Sequence, residues 1–386
     1  MINLELTPEQ LEIKEISNYF AINEIRPVAK YFDEKEIYPR LIVEKAHKLG
    51  LTTLTFPKKF GGQGITDPLI PLIMIEELAW GCAGINAAIT SSYLPAEAIF
   101  SLGNYEQQER FIPIFGDKKE LKIGAVALTE SEAGSNISSM KTRAVKKGDY
   151  YVLNGSKKFI GNGGIADIHI IFAKVEDDDG FDTIAPFVID NKEIKGFSLV
   201  KKDEKMGIRA THTAEIKLEN VEIPVENRLS KGKSSKEDYR GLLNMLNNTR
   251  PLVSAAAVGL ARAAFEYSLD YAKNRIQFNQ PIINHQGIGF LLTEMTTKID
   301  AARLLTWQAG LADSLEKGLK SSKAKLYSAE IAMEVTTNAV QILGGHGYVK
   351  EHPVEKWMRD AKIFQIWEGT SEIQKLNIIR YLKNQE

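Results

Sequence analysis

Residues 168–175, IHIIFAKV, form a run of β-branched and aromatic side chains without helical spacing. Runs of this kind, bounded by turn residues, predict strands. Similar runs occupy residues 142–146, 150–154, 185–190, 197–201 and 214–221. Lys147-Gly148-Asp149 and Asn154-Gly155 carry turn signals between the first of these runs. The pattern predicts a compact antiparallel β domain, which we place at residues 121–232.

Helical spacing dominates the chain before this domain. Thr7-Pro8-Glu9-Gln10 predicts a helix start, because Thr7 can cap, Pro8 fits the first helical position and Gln10 can complete a capping box. Residues 57–64, PKKFGGQG, predict a loop between helices, because the GKS/T ending of a phosphate-binding P-loop is missing. We therefore predict a helical N-terminal domain over residues 1–120.

Helical spacing returns in the last third of the chain. Small residues between Leu252 and Ala263 form a stripe that favours close helix packing, and Pro251 predicts a kink or a helix start. Further helices are predicted at 286–317, at 322–343 and after Gly369. Residues 230–240, SKGKSSKEDYR, predict a linker or exposed loop. The chain is thus predicted to be α+β, with a second helical domain over residues 233–386.

The composition argues against several classes of protein. The 386 residues carry 49 lysines and arginines against 50 aspartates and glutamates, so no net charge attracts nucleic acid or an anionic membrane. With one cysteine, Cys82, and histidines that lack ligand spacing, we expect no disulfide and no metal site. The sequence has no apolar run of about 18 residues, and MINLELTPEQ lacks the layout of a targeting segment. We expect a cytoplasmic protein.

Four stretches hold candidate ligand contacts. ALTESEAGSN (127–136) offers backbone amides and short hydroxyls, and KKFIGNGG (157–164) places Phe159 beside a glycine-rich turn. RIQFNQPIINHQ (275–286) combines an arginine, amides and an aromatic ring, which suits a pyrophosphate next to an adenine. QILGGHGY (341–348) has paired glycines after an apolar helix. Each stretch alone also fits a turn or a helix end.

A fifth stretch, IWEGTSEIQ (366–374), places Glu368 between Trp367 and a Gly-Thr pair. A carboxylate beside large apolar residues is paired, protonated or a working base. The local pattern leaves open the alternative of an ordinary acid at a helix end, where Gly369 breaks the helix.

Taken together, seven motifs resemble those of the acyl-CoA dehydrogenase family in order and approximate spacing. They are TESEAGSN, NGSKKFIGNGG, DEKMGIRATHT, NNTRPLVSAAAVGLARAA, RIQFNQPI, QILGGHGY and RDAKIFQIWEGTSEIQ, and the last five resemble the medium- and short-chain branch most. The resemblance extends from Leu6 to about Tyr381. It implies a helical N-terminal domain, a central β domain and a C-terminal four-helix bundle. It also implies a homotetramer that binds FAD and an acyl-CoA, works in fatty acid metabolism and passes electrons to an electron-transfer flavoprotein.

The resemblance further implies roles for individual residues. Glu368 matches the base that takes the α-proton of the thioester while flavin N5 accepts the β-hydride. Thr370 and Glu372 match positions that touch FAD from the EGT turn. The other implied FAD contacts within the subunit are Leu128 and Thr129 near the ring, Ser135 near the pyrophosphate, and Phe159 and Gly161 near the reactive edge. Those from the neighbouring subunit are Arg275, Gln277, Phe278, Gln341 and Gly345, and Gln286 belongs to the same group. The implied substrate contacts are Ser135, Arg250 and Gly369.

The sequence departs from the family pattern at two informative positions. Gly161 stands where the family usually has threonine or serine, so the hydroxyl normally offered to flavin N5 is absent. Thr249 stands where some branches carry their base, and a threonine cannot serve as one. Residues 90–94, TSSYL, are a candidate lining of the acyl pocket. Open alternatives are an enoyl-CoA reductase, an enzyme acting on a carrier-protein thioester, and a non-catalytic flavoprotein or DNA-binding relative.

Overall fold

The computed structural model describes residues 5–176, 182–191, 193–231 and 235–383. Its N-terminal part is helical, with α1 (Pro8–Phe20), α2 (Arg26–Lys35), α3 (Arg40–Lys48), α4 (Ile70–Gly81), α5 (Ala83–Leu102) and α6 (Tyr105–Gly116). The predicted capping box is confirmed: the backbone N–H of Gln10 donates to Thr7 Oγ1 over 3.3 Å, and that of Thr7 donates to Gln10 Oε1 over 2.9 Å. Residues 57–64 form the predicted loop, with one 3₁₀ turn at Lys58–Phe60.

The central part is a seven-stranded sheet. Its strands are β1 (Gly124–Ala127), β2 (Arg143–Lys147), β3 (Tyr150–Gly161), β4 (Ile168–Glu176), β5 (Asp182–Ile189), β6 (Phe197–Lys202) and β7 (Thr213–Pro224). The strand order is β1-β4-β2-β3-β7-β6, and β5 pairs with β4. The pairs β2–β3, β3–β7, β4–β5 and β6–β7 are antiparallel as predicted. In contrast, β1 and β2 each run parallel to β4, which makes the sheet mixed.

The two predicted turns have different outcomes. Gly148, with φ +62°, and Asp149 form the tight connection between β2 and β3, as predicted. Asn154-Gly155 was predicted as a turn, and this is wrong because both residues lie inside β3, at a register shift between Leu153 and Gly155. A side chain at Gly155 would place its Cβ 2.4 Å from Thr142 Oγ1, so the glycine serves a β-bulge that passes close to its neighbour.

The C-terminal part is helical again. It contains α7 (Ser235–Asn274), a short hairpin of β8 (Ile276–Gln277) and β9 (Gln280–Pro281), α8 (Gln286–Gly310), α9 (Lys317–Leu343), α10 (Val354–Ala361) and α11 (Ser371–Lys383). The predicted linker 230–240 is wrong from Ser235 onward, because α7 begins there and small or charged residues do not by themselves prevent a helix. Residues 232–234 lie outside the described part. The helix predicted at 286–317 ends at Gly310, and Pro251 lies inside α7 rather than at its start.

Two helices define the frame of the candidate site. Helix α7 packs against α4, α8 and α9, whereas α5 packs against both α7 and β1. Among the described helices, α7 between Arg240 and Asn274 is long and apolar enough to cross a membrane. However, 61% of its most apolar 18-residue segment is buried inside the protein. Burial against α4, α5, α8 and α9 accounts for its apolar character. Helix α5 therefore stands between the sheet and the C-terminal helices.

Candidate functional site

Glu368 lies in the turn between α10 and α11. Its φ is +54°, and Gly369 follows with φ +89°, so two consecutive residues adopt the left-handed conformation. Trp367 is half-buried and packs edge-to-face on Phe364 with 5.5 Å between ring centroids. Ile366, by contrast, keeps 51% of its surface exposed. The carboxylate thus sits at the boundary between the apolar core and an open surface.

The Glu368 carboxylate accepts a hydrogen bond from the residue that the family pattern marks as an alternative base position. Thr249 Oγ1 on α7 lies 2.9 Å from Glu368 Oε2 and 3.2 Å from the carbonyl oxygen of Leu246. A hydroxyl has one proton to donate, and the charged carboxylate is the stronger acceptor. Thr249 is therefore a donor that orients the carboxylate.

The backbone around Glu368 is held by three side-chain donors. Arg250 Nε donates to the carbonyl of Glu368 over 3.2 Å, and Gln374 Nε2 reaches the carbonyls of Glu368 and Gly369 at 3.3 and 2.9 Å. Lys325 Nζ donates to the carbonyl of Gly369 over 2.6 Å. Within the part of the chain that the structure describes, the backbone N–H of Glu368 has no hydrogen-bond partner. That N–H is available to a ligand.

Lys325 is a residue of this site that sequence reasoning missed. It is 1% exposed, and burial lowers its pKa to about 8, an effect that the negative charge of Glu368 opposes. The signal was present in the sequence, because Lys325 shares the small-residue face of α9 with the buried Ser321, Ser328 and Ala332. A lysine buried on such a face needs a hydrogen-bond acceptor for its ammonium group.

A second group of candidate residues lies at the edge of the sheet. Leu128 and Thr129 follow β1, and both of their carbonyls are held by β3: Lys157 Nζ donates to that of Leu128 over 3.1 Å, and the Lys158 N–H to that of Thr129 over 2.9 Å. Ser135 is exposed in the loop that follows. This edge presents the exposed short hydroxyl of Ser135 to a ligand.

The end of β3 carries the other two candidates of the group. Phe159 has φ +60°, in the left-handed region that few bulky residues adopt. It also keeps 61% of its surface exposed. A Cβ added to Gly161 would find one heavy atom within 4 Å, Ser91 Cβ at 3.9 Å. An exposed ring beside open space suits the packing of a flat ligand.

A third group lies at the far end of the C-terminal helices. Arg275, Gln277, Phe278, Gln286, Gln341 and Gly345 all lie exposed where α7, the β8–β9 hairpin, α8 and α9 end or begin. Tyr271 Oη lies 2.7 Å from His346 Nδ1 and ties α7 to the turn after α9. Phe278 is 88% exposed with φ +51°. These side chains face solvent and are available to another molecule.

The remaining candidates belong to the Glu368 turn. Arg250 is buried, and its Nη1 donates to Asn247 Oδ1 over 2.7 Å. Thr370 Oγ1 accepts the backbone N–H of Ile373 over 3.2 Å, which makes it a cap of α11, and Glu372 is exposed in the first turn of that helix. The structure therefore brings Arg250, Glu368, Gly369 and Thr370 together.

Family models match almost the whole chain. The N-terminal domain of acyl-CoA dehydrogenases matches residues 7–118, the middle domain residues 125–221 and the C-terminal domain residues 240–383. The chain belongs to the acyl-CoA dehydrogenase family. It is therefore an oxidoreductase, and the predicted family and its three-part fold are confirmed.

Individual acyl-CoA dehydrogenase relatives agree. The short-chain specific acyl-CoA dehydrogenase of Clostridium acetobutylicum is 40% identical over 382 residues, 98% of either chain. The acryloyl-CoA reductase (NADH) of Anaerotignum propionicum is 38% identical over 98% of this chain and 95% of its own. A chain in a solved structure described as an electron transferring flavoprotein of Acidaminococcus fermentans has 35% identity and a TM-score of 0.93, with full coverage of both chains.

The residues present fit the flavin of the acyl-CoA dehydrogenase family. A methyl group at Gly161 would point into open space, and the exposed Phe159 lies two residues away. The indole N–H of Trp367 is buried without a hydrogen-bond partner among the described residues, although buried indole groups usually have one. Open space and an exposed ring at the end of β3 suit a flat ring, and the Glu368 turn separately holds an unsatisfied donor that a polar ligand could fill.

Proposed function

We propose that this member of the acyl-CoA dehydrogenase family converts an acyl-CoA thioester to the trans-2-enoyl-CoA, with FAD as cofactor and Glu368 as the base. The observation that carries the proposal is the Glu368 turn. Its carboxylate is oriented by the Thr249 hydroxyl at 2.9 Å, while its own backbone N–H has no partner among the residues that the structure describes. One residue thus offers both a proton acceptor and a hydrogen-bond donor to the same substrate.

The chemistry requires both groups. The α-hydrogen of a thioester is a poor acid, so a site must remove it and stabilise the negative charge that grows on the carbonyl oxygen. The Glu368 carboxylate accepts the α-proton, and the free N–H of Glu368 donates to the carbonyl oxygen. Arg250, Gln374 and Lys325 hold the two carbonyls of the turn, so both groups keep their direction during the reaction. When bound, FAD supplies the acceptor for the β-hydride.

We assign the remaining candidates by their position. The proposed FAD contacts within the subunit are Leu128, Thr129, Ser135, Phe159, Gly161, Thr370 and Glu372. The proposed contacts from the neighbouring subunit are Arg275, Gln277, Phe278, Gln286, Gln341 and Gly345, and their exposure in one protomer supports this assignment. Arg250, Gly369 and Ser135 contact the substrate. The proposed domains are residues 1–120, 121–232 and 233–386.

The relatives support a substrate class and an electron partner, whereas the assembly and location are proposed from the sequence resemblance. The short-chain specific relative supports a short acyl chain, with residues 90–94 of α5 lining its pocket. The structural neighbour described as an electron transferring flavoprotein supports a protein of that class as electron acceptor. The assembly is a homotetramer, located in the cytoplasm and active in fatty acid metabolism.

A second candidate function is reduction of an enoyl-CoA on the same scaffold. The relative named acryloyl-CoA reductase (NADH) favours it, because it is 38% identical over nearly the whole chain. The same residues serve either direction, since the base that removes the α-proton returns it in reverse. The direction is decided by the electron partner.

The test is anaerobic mixing of the purified protein with butyryl-, hexanoyl-, octanoyl- and isovaleryl-CoA. We expect bleaching of the flavin absorbance with at least one of them, and a product lighter by two hydrogens in mass spectrometry. Steady-state assays with electron-transfer flavoprotein or with NADH plus enoyl-CoA then separate dehydrogenase from reductase. A flavin that no acyl-CoA reduces and, once reduced, no enoyl-CoA reoxidises contradicts both functions.

A further inference from the structure

A cavity of about 290 Å³ lies between α4, α5, α7 and the first residue of α9. Much of its wall is apolar, with Leu54, Leu72 and Leu252 among the lining residues. Of the described residues that line it, none contacts the Glu368 turn, and of the proposed acyl-pocket residues 90–94 only Tyr93 borders it. The polar groups of this cavity are therefore not part of the candidate site described above.

Glu97 lines the cavity from α5 with a carboxyl group that the protein leaves unpaired. The side chain is partly buried, and among the described residues no group donates a hydrogen bond to it or forms an ion pair with it. Burial raises the pKa of the Glu97 carboxyl above its ordinary value. Because carboxylates that are shielded from water normally have a donor or a positive partner, Glu97 is free to accept one from a ligand.

Lys317, the first residue of α9, lines the same cavity with a basic group. Its Nζ donates to the carbonyl oxygen of Gly310 over 3.0 Å, which uses one of the three ammonium protons. Burial lowers the pKa of this amine, and no carboxylate in the described part of the chain forms an ion pair with it. Glu97 and Lys317 thus border one space without pairing with each other, so the cavity presents a separated acid and base.

We propose that this cavity binds a small zwitterion with an apolar body, a free amino acid, whose ammonium group donates to Glu97 and whose carboxylate accepts from Lys317. A molecule with a single charge would leave either the acid or the base of the cavity without a partner, whereas a zwitterion pairs with both. The apolar wall suits the carbon skeleton that joins the two charged groups. This binding does not depend on the proposed dehydrogenation.

The test is isothermal titration calorimetry of the FAD-bound protein with leucine and with its isomer ε-aminocaproate, an α- and an ω-amino acid. Hexylamine and hexanoate serve as probes that carry one of the two charges each. Glu97→Gln and Lys317→Met remove one charge each and nearly keep the size of the side chain. Glu106→Gln and Lys323→Met are the matched controls, because both residues are exposed and neither borders the cavity. Retained FAD shows that each variant has folded.

We expect at least one of the two amino acids to bind, and the tighter one shows whether the cavity takes an α- or an ω-amino acid. Glu97→Gln and Lys317→Met should each weaken this binding about ten- to a hundredfold, the worth of one hydrogen bond to a charged group, while both controls match wild type. Hexylamine and hexanoate should bind wild type more weakly by a similar factor.

Three results would overturn the inference. They are no binding of either amino acid at millimolar concentration, binding of hexylamine or hexanoate as tight as that of the amino acids, and wild-type affinity in Glu97→Gln or Lys317→Met. Bleaching of the flavin by an acyl-CoA is measured separately, so the proposed function stands or fails on its own.

Discussion

At the scale of single residues, the central feature is the left-handed pair Glu368 and Gly369, with φ values of +54° and +89°. A non-glycine residue in this conformation costs about 1–2 kcal/mol. Donors from Arg250, Gln374 and Lys325 to the two carbonyls hold the pair in place. The strain sets the direction of the Glu368 side chain and N–H together, so small changes here should affect chemistry more than folding.

Gly369→Ala tests this sensitivity. An alanine Cβ would lie 2.7 Å from Gln374 Nε2 in a conformation that favours glycine, so the turn must shift. We expect a loss of about 1–2 kcal/mol in the free energy of unfolding from the backbone alone, together with a marked loss of kcat while FAD stays bound. Denaturant titration and steady-state assays measure the two quantities.

Gly148→Ala is the matched control for Gly369→Ala. Gly148 also has positive φ, at +62°, but a Cβ there would contact no heavy atom within 4 Å. It should lose similar stability and keep its activity. Equal loss of activity in both variants would mean that backbone strain anywhere in the molecule impairs the enzyme. That result would contradict a special role for the Glu368 turn.

At the scale of elements, three helices meet around the Glu368 turn. α7 supplies Thr249 and Arg250, α9 supplies Lys325, and α11 supplies Gln374. Lys325 is the costly contribution, because its buried ammonium group has a pKa of about 8 against an ordinary value of 10.5. Helix packing thereby links the position of the base to a titratable group.

Lys325→Met should change the pH dependence of stability. Below pH 8 the lysine is protonated both folded and unfolded, so its burial cost is constant. Between pH 8 and 10.5 the unfolded chain binds more protons, so wild-type stability rises relative to Lys325→Met, by up to about 3 kcal/mol over the full window. Denaturant titrations of both proteins at pH 7, 8 and 9.5 measure the difference. A difference that is flat, or that falls with pH, would contradict the buried-lysine account.

Local sequence patterns predicted those elements whose signals are local. The capping box of α1 and the Gly148-Asp149 connection depend on residues within four positions of one another, and both are correct. Asn154-Gly155 carries the same turn signal, but its conformation is set by pairing with β7 and contact with Thr142, which no local pattern records. β1 has four residues and its partner Ile168 lies far along the chain, so its parallel pairing was equally invisible.

The candidate site likewise combines features that local sequence predicts with contacts that only the folded structure reveals. The motif around Glu368 predicted it as the base from nearby residues, whereas its contact with Thr249 joins positions 119 residues apart. The missing hydroxyl at Gly161 was visible in the sequence. The neighbourhood of Ser91 Cβ, 3.9 Å from where a Cβ on Gly161 would be, was not, because a helix and a strand must first pack to bring the two residues together. Sequence supplied the chemical groups, and tertiary packing determined their partners.

At the scale of the whole molecule, one protomer leaves large apolar side chains uncovered. Phe278 is 88% exposed and Tyr348 is 86% exposed, both at the end of the helical domain that carries Arg275 and Gln341. Large exposed aromatic residues near polar groups are typical of interfaces. A single chain therefore lacks the full set of proposed flavin contacts.

We expect light scattering to give four times the protomer mass. Phe278→Asp should lower the assembly state and release FAD together, because a charge in the proposed interface opposes association and the same residue is a proposed contact of the cofactor. Leu315→Asp, at an 84% exposed apolar residue in the α8–α9 connection, is the control and should do neither. A wild-type monomer with full FAD occupancy would contradict the shared site.

The proposed role of Glu368 is tested most directly by stopped-flow measurement of flavin reduction in the Glu368→Gln variant. Glutamine keeps the size of the side chain and can accept the Thr249 hydrogen bond, but it cannot take the α-proton. FAD and acyl-CoA should still bind, while flavin reduction by the best substrate slows by roughly 10²–10⁴-fold, the usual contribution of a positioned base. Reduction within about tenfold of wild type, below that contribution, would show that Glu368 is not the base.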